Sequence, residues 1–180
     1  MPAKYFFPFL LLFVIYSCKS SFYEVNKLNS NATIIKSGKI ESVFFSKEAD
    51  CLLCNFPGSR FSPTLEEINE AEKILKKDIK SANNPMRNQG DGYPIIHKNL
   101  NNYRRQYYGY INKKGDKILY VNFLWAKYTV IDRLKGYHKD ERENWKSKRE
   151  IVLDGGSNYW QIEINLTQKK LANLHVNGVG

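Results

Sequence analysis

Cys51-Leu52-Leu53-Cys54 is the sharpest chemical signal in the chain. A Cys-x-x-Cys pair does redox work when a helix N-terminus and its dipole lower the pKa of one thiol. The next helical pattern begins about nine residues beyond Cys54, after Pro57-Gly58, and the surrounding order is not β-α-β. A zinc site would need two more ligands at suitable spacing. His97, His138 and His175 stand alone, and there is no second cysteine pair. In an oxidising compartment, Cys51 and Cys54 can close a small disulfide loop. That use is the expectation here, with thiol–disulfide exchange as the alternative.

Other constellations are weaker. No serine lies in a Gly-x-Ser-x-Gly context, so a nucleophile elbow is not indicated. There is no glycine loop for phosphate. Glu66, Glu67, Glu70 and Glu72 read as a solvated helix face, so no carboxylate pair for acid–base chemistry stands out. Asp154, beside Gly155 and Gly156, reads as a turn former. The run Tyr103, Arg104, Arg105, Tyr107, Tyr108, Tyr110 interleaves cations with aromatics, a pattern that can stack on sugars or bases. Tyr103, Arg105, Tyr108 and Tyr110 are therefore the candidate binding face, together with the loop over 83–98. No catalytic residue, metal or cofactor is expected.

The chain carries 28 Lys plus Arg against 18 Asp plus Glu, a net charge of +10 over 180 residues. That excess favours anionic partners such as headgroups or acidic glycans. Its first residues narrow the choice. Lys4 precedes an apolar run from Tyr5 to Tyr16, which as a helix would extend about 18 Å. A bilayer core of about 30 Å is too thick for it to span, so the run fits a signal-peptide core. Nucleic acid is then the least suitable anion.

Ile15-Tyr16-Ser17-Cys18 resembles a bacterial lipobox, with Tyr16 bulkier than the small residue usual at that place. The resemblance implies cleavage before Cys18, a diacylglycerol thioether on its sulfur and stable anchoring by several acyl chains. Cys18-Lys19-Ser20-Ser21 is similar to the start of Bacteroidota lipoproteins. Lys19 and the lack of an acidic run imply an outer-membrane location facing the periplasm.

Elements that would position these groups follow. Residues 18–38 are polar and aperiodic and read as a flexible tether. Ile40, Val43, Phe44 and Phe45 suggest a first strand. Leu65, Ile68, Ala71, Ile74, Leu75 and Ile79 recur at three- and four-residue spacing, which predicts a helix, with Ser62 as N-cap and Pro63 at the first helical position. Tyr103–Ile111 and Ile118–Trp125 flank a turn containing Gly115, a hairpin signal. Residues 137–149 read as a charged, exposed excursion. Trp160, Ile162, Ile164 and Leu166 alternate with polar residues and precede a return strand over 171–176.

The predicted fold is α+β: one long helix packed on a curved antiparallel sheet of four to five strands within a single domain, 39–180. This order resembles the cystatin-like fold and, more loosely, small uncharacterised Bacteroidota lipoproteins. Tyr103-Arg104-Arg105-Gln106-Tyr107-Tyr108-Gly109-Tyr110-Ile111-Asn112, Asp154-Gly155-Gly156 and Asn177-Gly178 carry the second likeness. The cystatin inhibitory loop, Gln-Val-Val-Ala-Gly, is matched by Arg105-Gln106-Tyr107-Tyr108-Gly109 only at its Gln and Gly, so protease inhibition does not carry over. The expectation is a membrane-anchored, non-enzymatic module that binds an envelope protein or glycan. The alternatives are a redox protein using Cys51 and Cys54, and a structural component without a ligand.

Overall fold

The computed structural model describes residues 21–127, Leu134 and residues 143–180. The signal segment, Cys18, His138 and the first part of the charged excursion lie outside these residues.

Eight strands form one mixed sheet, not an antiparallel sheet of four to five. In chain order they are β1 Tyr23–Asn29, β2 Ala32–Ser37, β3 Ile40–Phe45, β4 Ser59–Phe61, β5 Tyr103–Ile111, β6 Lys117–Trp125, β7 Tyr159–Asn165 and β8 Lys170–Val176. The α-helix α1, Leu65–Ala82, lies between β4 and β5. The spatial order is β1-β2-β3-β5-β6-β7-β8, with β4 paired to β5 off this path. The cystatin-like order is thereby overturned.

Two features caused the difference. Residues 23–37, expected as tether, form the β1–β2 hairpin. The β2 side chains are buried on both faces, including the adjacent Ile34 and Ile35, so no polar–apolar alternation marks the strand. The second feature is the junction of β3 with β5, which is parallel, with Val43 opposite Gln106 and Phe44 opposite Tyr107. A parallel neighbour needs a long crossover, and the segment holding the cysteine pair, β4 and α1 supplies it. β4 then runs antiparallel to the far end of β5, with Phe61 opposite Gly109. A Cβ on Gly109 would lie 2.7 Å from the Phe61 carbonyl oxygen, so only glycine lets β4 sit there.

The helix occupies the segment its apolar spacing indicates, but its cap differs. Thr64 is the N-cap: its Oγ1 accepts from Glu67 N–H (3.2 Å), and the Glu67 carboxylate accepts from Thr64 N–H (3.0 Å). Ser62 instead accepts from Lys47 N–H at 3.0 Å, and Pro63 precedes the cap.

Both faces of the sheet are covered. Ile68, Ala71, Ile74, Leu75 and Ile79 of α1 pack with Tyr103, Tyr107, Leu119, Val121, Phe123, Trp160, Ile162 and Ile164 on one face. On the other, Ala32, Ile34, Val43, Phe45, Tyr108 and Leu124 are covered by Ala49 from the cysteine loop and by Trp145 from the chain before β7.

Candidate anion-binding groove

Tyr103, Arg105, Tyr108 and Tyr110 do not form a solvent-facing surface: all four are buried. Alternation along β5 sends Tyr103 and Arg105 to the helix face and Tyr108 and Tyr110 to the opposite one. Because both faces are covered, neither set is wet. Burial pushes the phenols of all three tyrosines well above the ordinary tyrosine range.

Arg105 is fully enclosed, at 0% exposure. Its Nε donates to Glu72 Oε1 (2.9 Å), Nη1 to the Tyr103 carbonyl (2.7 Å) and Nη2 to the Leu100 carbonyl (3.1 Å). Tyr107 OH donates to the same Glu72 oxygen at 3.0 Å. The guanidinium also lies over the rings of Phe22 and Phe123, at 5.7 and 5.2 Å. This is a paired, hydrogen-bonded interior charge that fastens α1 to β5.

Cys51 and Cys54 are joined in a disulfide. Cys54 N–H donates to the Cys51 carbonyl at 3.0 Å, so the bond closes a single turn. Leu52 and Leu53 project at its tip, 67% and 75% exposed. Arg149 ties the turn down by donating from Nη1 to the Leu52 carbonyl (2.9 Å) and from Nη2 to Tyr120 OH (2.6 Å). The pair sits on the covering loop, and α1 starts only at Leu65, so no helix dipole bears on either sulfur. Among the described residues, no group of three or more His, Cys, Asp and Glu gathers to hold a metal.

The 83–98 loop is an ordered structure. Asn83 Nδ2 donates to Gln89 Oε1 (2.9 Å), Gln89 Nε2 returns a bond to Asn83 Oδ1 (2.6 Å), and Ile96 N–H also donates to Gln89 (2.9 Å). With β8 it lines a cleft of about 410 Å³ that includes Arg87 and His175.

A more charged concavity lies where β5 begins. Two adjoining clefts, about 350 and 450 Å³, share Lys39, Ile40, Asn101 and Asn102. The smaller adds Phe22 and Lys76 above the Glu72–Arg105 pair; the larger adds Lys36, Arg104 and Lys127. The two carboxylates lining the clefts are already engaged. Glu41 faces Lys36 and Lys146 at 3.6 and 3.4 Å, and Glu72 holds Arg105. Lys39, Lys76 and Lys127 have no ion-pair partner among the described residues. Ammonium groups around side-chain amides suit an anionic, oxygen-rich ligand.

Sequence reasoning missed this groove. Its lysines come from β2, the β2–β3 turn, α1 and the chain just after β6, so no motif records them. Arg104, in the cation–aromatic run of β5, is the groove cation that a local pattern marks.

No helix among the described residues is long and apolar enough to cross a membrane. Comparison with protein-family models, curated proteins and solved structures finds no match to the chain.

Proposed function

We propose that the chain is an exported lipoprotein, anchored through Cys18, whose folded domain is a non-enzymatic binding module of the cell envelope, at the outer membrane facing the periplasm. The observation that carries the binding role is the groove at Lys36, Lys39, Lys76 and Lys127, a concave surface on which Lys39, Lys76 and Lys127 have no ion-pair partner among the described residues. The lipobox-like Ile15-Tyr16-Ser17-Cys18 supports the anchor. A disulfide in the covering loop suits an oxidising compartment. An anionic envelope component, whether protein, glycan or lipid headgroup, is the partner class, and no catalytic group is assigned.

Intact mass and membrane fractionation of the wild type beside Cys18→Ala tests this reading. The wild type is expected to lose residues 1–17, gain acyl mass and partition to membranes, while the variant gains no acyl mass. A wild-type chain that is cleaved elsewhere and remains soluble would overturn the anchor.

A second reading, thiol–disulfide exchange, draws on the half-exposed position of Cys51 and Cys54 beneath the Leu52-Leu53 tip. It requires one thiol to be reactive at neutral pH after reduction. Alkylation rates no faster than those of a free cysteine would dismiss it.

A further inference from the structure

We propose that the face holding the two clefts lies against the membrane and binds the phosphate groups of acidic phospholipids; this rests on the anchor at Cys18. Phe22 is bound firmly into the folded domain. Its N–H donates to Asn69 Oδ1 (2.7 Å), and its carbonyl accepts from Asn69 Nδ2 (3.1 Å). The Phe22 ring is buried in the helix-face core, edge-on to Tyr107 at 6.3 Å. Backbone and side chain of Phe22 are thus both fixed to the folded domain.

Only four residue steps separate Phe22 from Cys18. Fully extended, they reach about 14 Å. The expected long tether is therefore a short leash, because the rest of it folds into β1 and β2. An acyl-bearing Cys18 sits at the bilayer interface, so Phe22 can stand no further from that interface than this reach.

Phe22 is itself a wall of the smaller cleft, together with Lys39 and Lys76. Lys36, Arg104 and Lys127 continue the wall into the larger one. The leash holds Phe22, and with it the mouth of the smaller cleft, within one to two screening lengths of the headgroups, since the Debye length is about 8 Å at physiological salt. Lysines at that range are drawn to anionic lipid, and a polybasic patch is the usual second signal beside acyl chains. The other end of the sheet serves as an internal reference. Lys113 and Lys114 in the β5–β6 turn and Lys170 at the start of β8 lie at the opposite end of the sheet, about 30 Å away along the nine-residue β5 and β6.

The experiment reconstitutes the acylated full-length product into vesicles of phosphatidylcholine, alone or mixed with phosphatidylglycerol. A membrane-impermeant amine reagent then labels the exposed lysines, which are mapped by mass. Lys39, Lys76 and Lys127 are expected to be protected severalfold by phosphatidylglycerol, and Lys113, Lys114 and Lys170 to be labelled alike in both vesicles. Protection of Lys36, on the wall of the larger cleft, by phosphatidylglycerol should be lost in Lys39→Glu/Lys76→Glu/Lys127→Glu. It should hold in Lys113→Glu/Lys114→Glu/Lys170→Glu, which carries the same charge change.

Equal labelling at both ends, or equal loss in both triple variants, would overturn the face and leave only net charge. Protection by a soluble acidic glycan but not by vesicles would also overturn it. Failure of the anchor looks different: no acyl mass on Cys18 and no retention on phosphatidylcholine alone.

Discussion

The two faces of the sheet are covered by different kinds of chain, and the side chains beneath them differ accordingly. On the helix face the cover satisfies its own backbone, so it needs only an apolar stripe. Ile68, Leu75 and Ile79 meet Tyr107, Leu119, Val121 and Ile162, and a Glu72–Arg105–Tyr107 cluster is set among them. On the other face the cover is irregular, and its peptide groups must find partners in the sheet. A row of amides provides them. Gln106 Nε2 donates to the carbonyls of Trp145 (2.6 Å) and Lys148 (2.7 Å), while its Oε1 accepts from Glu150 N–H (3.0 Å) and Asn122 Nδ2 (2.8 Å). Asn122 Nδ2 also donates to the Glu150 carbonyl (2.9 Å), and Asn177 Nδ2 to that of Val152 (2.6 Å). Arg60 fastens the cysteine loop in the same way, donating to the carbonyls of Ser46 and Ala49 at 2.9 and 3.3 Å. One cover is held by area, the other by addressed hydrogen bonds.

The largest effect should come from breaking the charge pair on the helix face. Glu72→Ala leaves Arg105 buried without its carboxylate, a loss of about 4 kcal/mol. A double variant, Glu72→Leu/Arg105→Met, removes both charges and should recover part of that loss. Chemical denaturation of the three proteins decides it. A single variant no less stable than the double would show that the pair contributes nothing to fastening the helix.

Next in size is Gln106→Ala, on the other face. It strips partners from two carbonyls and one N–H of the covering segment, at a cost of about 3 kcal/mol if the segment stays down. The segment can instead lift and hydrate, so the expected outcome is local: faster trypsin cleavage after Lys148 or Arg149, with global unfolding less affected than in Glu72→Ala. Uniform destabilisation without new cleavage would erase the distinction between the covers.

This contrast also explains what was legible in the sequence. α1, β6 and β7 announce themselves through apolar spacing or alternation, and β3, β5 and β8 through apolar or aromatic runs beside a turn. β1 does not, because its seven residues are all exposed; β2 does not, because both of its faces are buried. The second cover was illegible for a different reason. Residues 143–154 have no period, and their attachment depends on Gln106, Asn122 and Asn177, amides that look like solvent-facing residues in a one-sided sheet. The same error of one wet face placed Tyr108 and Tyr110 in a binding surface. Arg105 was misplaced because its partner, Glu72, lies on a helix whose charged residues all look solvated. The cysteine turn is local and therefore readable, whereas the groove gathers lysines from four separate segments.

The smallest contrast is the finest test, because Tyr107 and Tyr108 are neighbours on opposite faces. Tyr107 OH donates to the Glu72 carboxylate, whereas Tyr108 OH is buried and has no hydrogen-bond partner among the described residues. Tyr108 contributes through its ring, stacked on Phe45 at 4.6 Å. Tyr107→Phe should therefore cost about 2 kcal/mol at neutral pH, and Tyr108→Phe within about 0.5 kcal/mol of nothing. Alkaline titration separates the hydroxyl from the ring. Burial raises both phenols above their ordinary value, so folding favours their neutral forms. That contribution is complete below pH about 10 and is lost as pH rises beyond it. Each variant deletes one such group, so both should lose less stability than the wild type between neutral and alkaline pH. Only Tyr107→Phe should start from a lower stability. If Tyr108→Phe is the costlier change at neutral pH, its hydroxyl is bonded in solution, and the loop face is as tightly addressed there as it is under Gln106.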